Sequence, residues 1–301
     1  MAESITKALE SLKQTLDESR LREKPHSVGE AQIHPWPKTM RGVPNSVLRG
    51  ALFSAIQGKY RRYLKRALLA SQNGIQIHFT GWQLDQSDLD VWEQALHLAR
   101  KHPLGTQCDF TAHAFLKALR RNNGKTQHEW LKEVFVRLTG AVIEVTHDNR
   151  TYFGALIEGG TRDELTGRYE ITLNPKLSKL YQAGWTAIDW EQRQQLRRKP
   201  LALWLHGFLA THAKPYPLKV ESLMAWSGSR IKETRQFKYK LKAALNELEC
   251  VGAIIGYKFI HNLVTINRIP SNVQKHHFSL TNPKKQRSEA RHTGDGGTAY
   301  G

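Results

Sequence analysis

The segment from residue 228 to residue 268 constrains the fold of this chain more than any other, because it joins a helical repeat to two strand-like runs. Apolar residues recur three and four positions apart from Ile231 to Leu248, which is the spacing of one buried helix face. Strand-like runs follow at 253–260 and 263–268, and a shorter apolar segment precedes at 219–226. The order helix, turn, helix and hairpin predicts a winged helix-turn-helix.

The long helix of this segment has a second face that is cationic. Its positive side chains recur three and four apart and are expected to point together into solvent. In a winged helix-turn-helix this helix enters the DNA major groove, where arginine pairs with guanine and glutamine with adenine. Base readout is therefore expected from Arg230, Lys232, Arg235, Gln236 and Tyr239, with Arg235 and Gln236 foremost at base edges. Phosphate contacts that set the register are expected from Lys238, Lys240 and Lys242. The candidate DNA-binding residues are Ser229, Arg230, Lys232, Arg235, Gln236, Lys238, Tyr239, Lys240 and Lys242. The alternative is an ordinary helix with a solvated Lys/Arg face.

The charge of the whole chain favours a polyanionic partner. Its 301 residues include 45 Lys and Arg but only 27 Asp and Glu, and the pI is near 9.9. A cationic surface gains binding free energy when phosphate contacts release condensed counterions. An anionic membrane would also suit, but no stretch approaches the roughly 18 apolar residues of a spanning helix. Residues 1–24 also lack the apolar core of a secretory signal. We expect a cytoplasmic protein without a membrane partner.

A second winged-helix pattern is predicted upstream, between residues 44 and 173. Its third helix exposes fewer cations than the helix of 231–248, which favours positioning, fewer phosphate contacts or dimerisation over the main base readout. Its candidate DNA-binding residues are Lys125, Gln127, His128 and Lys132. The predicted helices cover residues 84–99, 111–119 and 126–138, and the predicted strands cover 75–79, 141–146, 152–157 and 169–173. The carboxylates of Asp85, Asp88 and Asp90 lie on or near the start of the first of these helices and are expected to cap it.

Together the two patterns predict an α+β chain with two tandem winged-helix domains. The four predicted parts are an N-terminal helix with a Pro-containing linker (1–40), a first winged-helix domain (41–175), a second winged-helix DNA-binding domain (176–269) and a basic disordered tail (270–301). The N-terminal helix carries a short apolar seam, which suits either docking on the body of the protein or binding a partner.

Six segments give the chain a family resemblance. They are HPWPKTMRGVPN (34–45), RGALF (49–53), FTGWQL (79–84), LWLH (203–206), HAKPYPLK (212–219) and Leu263-Val264. These segments resemble those of TrfA-type initiators of plasmid replication, and the resemblance runs from about His34 to Arg268.

The resemblance implies a function that composition and spacing alone do not. It implies a bacterial protein that binds repeated origin sequences (iterons) in double-stranded plasmid DNA through two winged-helix domains. It further implies opening of an AT-rich segment, recruitment of the host replicative helicase and its loading machinery, and both monomeric and dimeric (homodimer) forms. Some such initiators bind the polymerase sliding clamp through a Gln-Leu-x-Leu-Phe segment. Residues 27–33 stand in that place without the Leu-Phe pair, so clamp binding is doubtful here.

The sequence does not predict an enzyme, a cofactor or a metal. It contains no Gly-x-x-x-x-Gly-Lys-Ser/Thr phosphate loop. A relaxase would need clustered histidines and a nucleophilic tyrosine, and the nearest candidates, His276, His277 and Tyr300, fall in the polar tail. Cys108 and Cys250 are too few for a zinc site, and their apolar neighbours predict buried thiols. Two alternatives to an initiator remain: a winged-helix transcriptional regulator that binds an operator without recruiting a helicase, and a nuclease.

Overall fold

A computed structural model describes residues 36–72, 74–100, 106–147 and 150–270 of the chain. The predicted N-terminal helix and the predicted tail from residue 271 onward lie outside these ranges. The segment in place of the clamp-binding motif also lies outside them.

Nine helices and fourteen strands are described in these ranges. The helices are α1 (Asn45–Leu48), α2 (Gln86–Ala99), α3 (Ala112–Ala118), α4 (Lys125–Gly140), α5 (Ser178–Gln182), α6 (Trp190–Gln195), α7 (Pro200–Ala210), α8 (Val220–Trp226) and α9 (Thr234–Cys250). The first seven strands are β1 (Met40–Pro44), β2 (Phe53–Ser54), β3 (Tyr63–Leu69), β4 (Ile75–Trp82), β5 (Leu84–Asp85), β6 (Gln107–Thr111) and β7 (Val142–His147). The others are β8 (Arg150–Gly154), β9 (Ile157–Arg162), β10 (Arg168–Leu173), β11 (Trp185–Asp189), β12 (Leu218–Lys219), β13 (Gly256–Ile260) and β14 (Leu263–Asn267).

The chain has a mixed α/β architecture in which one order of elements occurs twice. The first series runs α2, β6, α3, α4, β9 and β10, with an antiparallel sheet in the order β6-β10-β9. The second series runs α7, β12, α8, α9, β13 and β14, with an antiparallel sheet in the order β12-β14-β13. In both series the strand between the first two helices pairs with the last strand.

The predicted hairpin of the first series occupies a different place from the one expected. The sequence places it directly after the third helix, and β7 and β8 do form an antiparallel pair there. These two strands, however, join β3 and β4 in a separate four-stranded sheet, β3-β4-β7-β8. The hairpin that pairs with β6 is β9–β10. One predicted strand, 152–157, is in fact divided, because β8 ends at Gly154 and β9 begins at Ile157.

Buried apolar side chains form two clusters that follow one another along the chain. The first cluster extends from Trp36 to Trp190, and we call its residues the first unit. The second extends from Leu196 to Ile266, and we call its residues the second unit. Helix α5 and strand β11 belong to the first unit, because β11 pairs in antiparallel fashion with β1.

Helix α2 lies at the centre of the first unit and begins with a predicted cap. The Asp85 carboxylate accepts from the Ser87 and Asp88 amides, and the Asp88 side chain accepts from the Asp85 amide, so the two form a capping box. Asp90 was also expected to be a cap, but it is buried and pairs instead with Arg193.

Two further sequence predictions need correction. Helix α9 begins at Thr234 rather than Ile231, so Lys232 lies in the segment before the helix. Cys108 is buried as expected, but Cys250 is exposed, because it is the last residue of α9 and lies off the buried stripe of that helix.

Candidate nucleic-acid interface

Helix α9 separates its apolar and cationic side chains onto opposite faces. Its buried residues are Phe237, Leu241, Ala244, Leu245 and Leu248, which pack in the core of the second unit. Arg235, Gln236, Tyr239, Lys240 and Lys242 are exposed, and Tyr239 is 71% exposed. A large aromatic side chain this exposed contributes little to the folded core and is available for contact with a ligand. The predicted arrangement of these residues on one helix is therefore present.

The exposed cations of this region keep their charge unpaired. Within the ranges that the structure describes, Lys232, Arg235, Lys240 and Lys242 form no ion pair. The carboxylate of Glu247, on the same helix, is instead bound by Lys199. Because no internal carboxylate neutralises these cations, their field is directed outward and suits a polyanion.

The hairpin β13–β14 lies against the end of the cationic face. Lys238 Nζ lies 5.3 Å and Lys242 Nζ 5.6 Å from the centre of the Phe259 ring, and Lys238 also donates to the carbonyl of His261 at the hairpin turn. His261 is exposed and adopts a left-handed backbone with φ of 51°. The helix and the hairpin tip therefore form one continuous surface, and Lys238 is half-buried within it.

The turn between α8 and α9 rests on the first unit. The Ala55 amide donates to the Ser227 carbonyl over 2.7 Å. Gly228 has φ of 62°, and a Cβ atom there would lie 2.6 Å from Ser54 Oγ, so this position requires glycine. Arg230 donates to the carbonyl of Tyr60, and its guanidinium lies 5.9 Å from the centre of the Tyr60 ring. Arg230, predicted to read DNA, is thus held against the first unit.

The predicted residues of the first unit lie together on α4 but are largely engaged within the protein. Gln127 Oε1 accepts from Arg121 over 3.0 Å, and His128 Nε2 lies 2.7 Å from Asn123 Oδ1. Lys132 Nζ lies 3.0 Å from Glu129 and 3.4 Å from Glu164. The hydrogen bond that Lys132 donates to the Glu129 carboxylate raises the pKa of Lys132, so its charge is retained but balanced. Lys125 is exposed at the start of α4.

Helices α4 and α9 share one local feature at their first turns. The capping positions are Gly124, which has no side chain, and Glu233, whose side chain bonds no backbone amide of the first turn; α1, α5, α7 and α8 also lack a side-chain cap. Helices α2 and α3, by contrast, are capped by Asp85 and Thr111. An uncapped first turn leaves amide groups and the positive end of the helix dipole available to an anion.

Arg193 joins the two units through a buried cluster of charges. Its Nε lies 2.7 Å from Asp90 Oδ1 and 3.3 Å from Glu93 Oε2, both on α2, and its Nη1 donates to the carbonyl of Leu203 on α7. Burial raises the pKa of Glu93 to about 8, an effect that Arg193 opposes. Burial also lowers the pKa of the nearby His206 to about 3, and the charge of Arg193 lowers it further.

One group of cations was missed in the sequence. Arg121 follows α3, and Arg197 and Arg198 connect α6 to α7, so the fold brings a residue from the middle of the first unit beside residues that follow this unit in the sequence. The basic run at residues 197–199 is visible in the sequence, but nothing in its pattern indicates that Arg121 lies beside it.

No helix of the described residues is long and apolar enough to cross a membrane. Over the same residues, no group of three or more His, Cys, Asp or Glu side chains is arranged to hold a metal ion.

The fold and this surface together define a class of protein. It is a mixed α/β protein in which one order of elements occurs twice, and one helix exposes cationic side chains that form no ion pair with the described residues. A crystal structure of domains 2 and 3 of RctB has a similar fold, with a TM-score of 0.52 and 10% identity, covering 75% of this chain and 98% of that one. The chain belongs to the TrfA protein family, whose model matches residues 2–268.

A curated relative and a further solved structure are also similar. The plasmid replication initiator protein TrfA of Escherichia coli is 26% identical over 231 residues, which cover 74% of this chain and 60% of that protein. This chain thus spans about 60% of the length of that relative. The Pi initiator protein in complex with iteron DNA has a TM-score of 0.47 and 11% identity, covering 60% of this chain and 94% of that one.

Proposed function

We propose that this protein initiates plasmid replication by binding repeated sequences in double-stranded origin DNA. The observation that carries the proposal is the exposed cationic face of α9, which projects Arg235 and Gln236 without an internal counter-charge. Membership of the TrfA family supports the same conclusion, since a curated relative is named as a plasmid replication initiator. The protein acts in the bacterial cytoplasm on plasmid DNA.

Each unit is proposed to be one winged-helix module. The repeated order of elements and the identical strand order of β6-β10-β9 and β12-β14-β13 support this assignment. Helices α4 and α9 are then the two recognition helices, and the hairpins β9–β10 and β13–β14 are the wings. Helix α9 reads bases, whereas α4, whose polar side chains are largely engaged internally, mainly positions the protein on phosphates.

The boundary between the modules is proposed to lie between Trp190 and Leu196 rather than at residue 175. The division of the two apolar clusters supports this later position. The proposed modules otherwise follow the predicted organisation, with an N-terminal helix and linker before residue 41 and a tail after residue 269.

The remaining steps of initiation are proposed to use binding free energy and partner proteins. DNA bending at deformable base steps would open an adjacent AT-rich segment. The opened origin would then receive the host replicative helicase with its loading machinery. Monomers and homodimers are expected to differ in origin binding. No nucleotide hydrolysis, cofactor or strand cleavage by this chain is part of the proposal.

The test is footprinting of the purified protein on DNA from its own replicon, with permanganate to detect unpaired thymines. An initiator should protect evenly spaced direct repeats and make thymines reactive in a neighbouring AT-rich stretch. Protection of one promoter-proximal site without reactive thymines would instead identify a transcriptional regulator. Cleavage of supercoiled origin DNA in magnesium or manganese would identify a nuclease. The Arg235→Ala protein is the matched control, because it should need roughly 5- to 150-fold more protein to protect the repeats, which is about 1–3 kcal/mol of binding, while still coating DNA at low salt.

A further inference from the structure

A cleft of about 390 Å³ lies where the two units meet, away from the exposed face of α9. The first unit contributes Gln57, Arg121 and Gln127 to its lining, and the segment between α6 and α7 contributes Arg197, Arg198 and Pro200. The first turn of α4 therefore borders the cleft on one side, and the connection between the two units borders it on the other. We call it the arginine cleft.

The three arginines of the cleft have no carboxylate partner among the described residues. Two acidic side chains, Asp85 and Asp90, also line the cleft, but each already has an arginine of its own. Asp85 lies 2.6 Å from Arg61, and Asp90 lies 2.7 Å from Arg193. The arginines of the cleft therefore carry positive charge that no carboxylate of the described residues neutralises through an ion pair.

Two of these cations, Arg121 and Arg197, are held in place by the surrounding structure, whereas Arg198 is exposed. The Arg121 guanidinium lies 3.5 Å from the centre of the Trp130 ring and donates to Gln127 Oε1 over 3.0 Å. Arg197 donates to the carbonyl of Arg120. Burial lowers the pKa of Arg121, and the charges of Arg197 and Arg198 lower it further against the opposing effect of Asp90 and Asp85. Guanidinium groups that repel one another yet are held together are arranged for an anion.

The backbone beside the cleft is also unusual. Arg198 has φ of 69° and Arg120 has φ of 50°, in the left-handed region that side chains other than glycine and asparagine rarely adopt. Strain of this kind is typically retained where it positions a functional group. Arg198 is exposed, so no packing contact explains why an arginine occupies this position.

The arginine cleft continues toward helix α9. A second cleft of about 360 Å³ shares Gln57 and Pro200 with it and is lined by Ser229, by Lys240 and by the ion pair of Lys199 with Glu247. The two adjoining clefts therefore extend from the start of α4, past the segment between α6 and α7, to the proposed recognition helix α9.

We propose that the arginine cleft binds a backbone phosphate of the DNA segment that lies between the two recognition helices. Arginine suits this ligand because its planar guanidinium donates two parallel hydrogen bonds to a phosphate. The connection between the units thus becomes a third DNA contact, which carries no base specificity and fixes the two units on the duplex. This proposal rests on the proposed function, because it requires both helices to contact the same DNA.

The test uses two variants of the full chain at Arg198. Arg198→Gly removes the guanidinium and suits the left-handed backbone, and Arg198→Lys retains the charge. The control is Lys179→Ala, which removes one exposed positive charge on α5, a helix that lines neither cleft. Origin affinity is measured from 50 to 200 mM salt. Arg198→Gly should reduce affinity three- to tenfold and lower the slope of log K against log salt by about 0.9. Arg198→Lys should keep the wild-type salt slope, because the charge remains, but should lose part of the affinity, because an ammonium group cannot donate the paired hydrogen bonds. Lys179→Ala should stay near wild type in affinity.

The position of the phosphate is tested by replacing single phosphates with uncharged methylphosphonates between the two protected grooves. For the wild-type protein, one position should weaken binding three- to tenfold. For Arg198→Gly, the methylphosphonate at that position should not weaken binding further, because the arginine that contacts this phosphate is already absent. Equal effects of Arg198→Gly and Lys179→Ala, or a methylphosphonate profile unchanged by Arg198→Gly, would overturn the proposal.

A small ligand with a phosphate group, such as inorganic phosphate or ATP, would present the same chemical group to the cleft as a DNA phosphate does. Calorimetric titration with inorganic phosphate and with ATP distinguishes it. Micromolar ATP binding that Arg198→Gly abolishes, together with unchanged DNA affinity, would make the cleft a nucleotide site and overturn the proposal. Failure of the proposed function would give a different result from failure of the cleft proposal, because the wild-type protein itself would then show no footprint on repeats. The salt slopes on unrelated duplex DNA would still decide whether the cleft binds a DNA phosphate.

Discussion

Arg193 Nε lies 2.7 Å from Asp90 Oδ1, and this buried pair connects a helix at the centre of the first unit to the segment that leads into the second. The Arg193 side chain is completely buried, and its remaining nitrogens donate to Gln86 and to the carbonyl of Leu203. Removing either partner of such a pair leaves a charge in the interior, which costs more than the pair itself contributes.

Replacing Arg193 by Met should therefore destabilise the protein by about 3–5 kcal/mol, because the Asp90 carboxylate would lose its buried counter-charge. Urea unfolding at pH 7 measures the loss. Arg168→Met is the matched control: its ion pair with Asp109 has the same length, 2.7 Å, but both side chains are more than half exposed. That variant should cost at most about 1 kcal/mol. Equal losses in the two variants would contradict the buried role of Arg193.

Arg235→Ala should cost about 1–3 kcal/mol of origin binding and relax sequence preference at one base position. The reason is that Arg235 is an exposed side chain in the first turn of α9, where a recognition helix meets base edges. Competition binding against a library of single-base variants of the repeat measures both effects. Lys242→Ala should weaken all sequences alike and lower the salt slope by about one. Unchanged preference in Arg235→Ala would mean that α9 does not read bases.

Lys125 and Lys132 should differ although both lie on α4. Lys132 is balanced by Glu129 and Glu164, so Lys132→Ala should change DNA affinity little. Lys125 is exposed at the uncapped first turn, and Lys125→Ala should lower the salt slope by about 0.9. Filter binding across a salt series compares the two proteins. A larger effect at Lys132 would show that its internal ion pairs open on DNA.

His206 should make the protein less stable in mild acid. Its pKa is about 3 in the folded protein, because of burial and the charge of Arg193, against an ordinary value of 6.5. The unfolded chain therefore binds the extra proton between these values, so stability is complete above pH 6.5 and falls as the pH decreases. Between pH 7 and pH 5 the loss from His206 should be about 2 kcal/mol.

His206→Gln isolates this contribution from that of Glu93, which has the opposite sign. The pKa of Glu93 is raised from 4.5 to about 8, so Glu93 makes the folded protein less stable as the pH rises through that interval. Because Glu93 is present in both proteins, the difference between their urea midpoints at pH 7 and pH 5 reports His206. An equal pH dependence in both proteins would show that His206 is not the cause.

Helices were the most predictable part of this chain, because their apolar residues repeat locally. The buried stripe of α9 and the cap of α2 at Asp85 follow from spacing and residue type alone. The start of α9 was predicted three residues early, since Ile231 continues the apolar spacing although the helix begins at Thr234.

Strand pairing was far less predictable, because it depends on residues distant in the sequence. Strand β3 (Tyr63–Leu69) shows no clear alternation, and its place beside β4 is fixed by pairing rather than by its own pattern. The same reason explains why the hairpin of the first unit was assigned to β7–β8 instead of β9–β10. Nothing near β6 in the sequence indicates that β10 will be its partner.

The residues of the candidate site also differ in whether local sequence spacing predicts them. The predicted face of α9 needed only helical geometry, whereas the engagement of Arg230 by Tyr60 and of Lys132 by Glu164 needed the tertiary fold. Arg193 was equally hidden, because the polar run around it has the composition of an exposed helix and its burial depends on α2.

The turn at Gly228, which packs against Ser54, affects which spacings of DNA sequence the protein would recognise. Because the Ser227 carbonyl and Gly228 rest on the first unit, the separation between α4 and α9 is set before any duplex arrives. A protein with such a fixed separation senses helical phase as well as sequence. Inserting five base pairs between the segments that the two helices contact would turn one of them about half a turn away. Inserting ten base pairs would restore its orientation at a greater distance. The protein would therefore distinguish two segments on the same face of the duplex from identical segments on opposite faces.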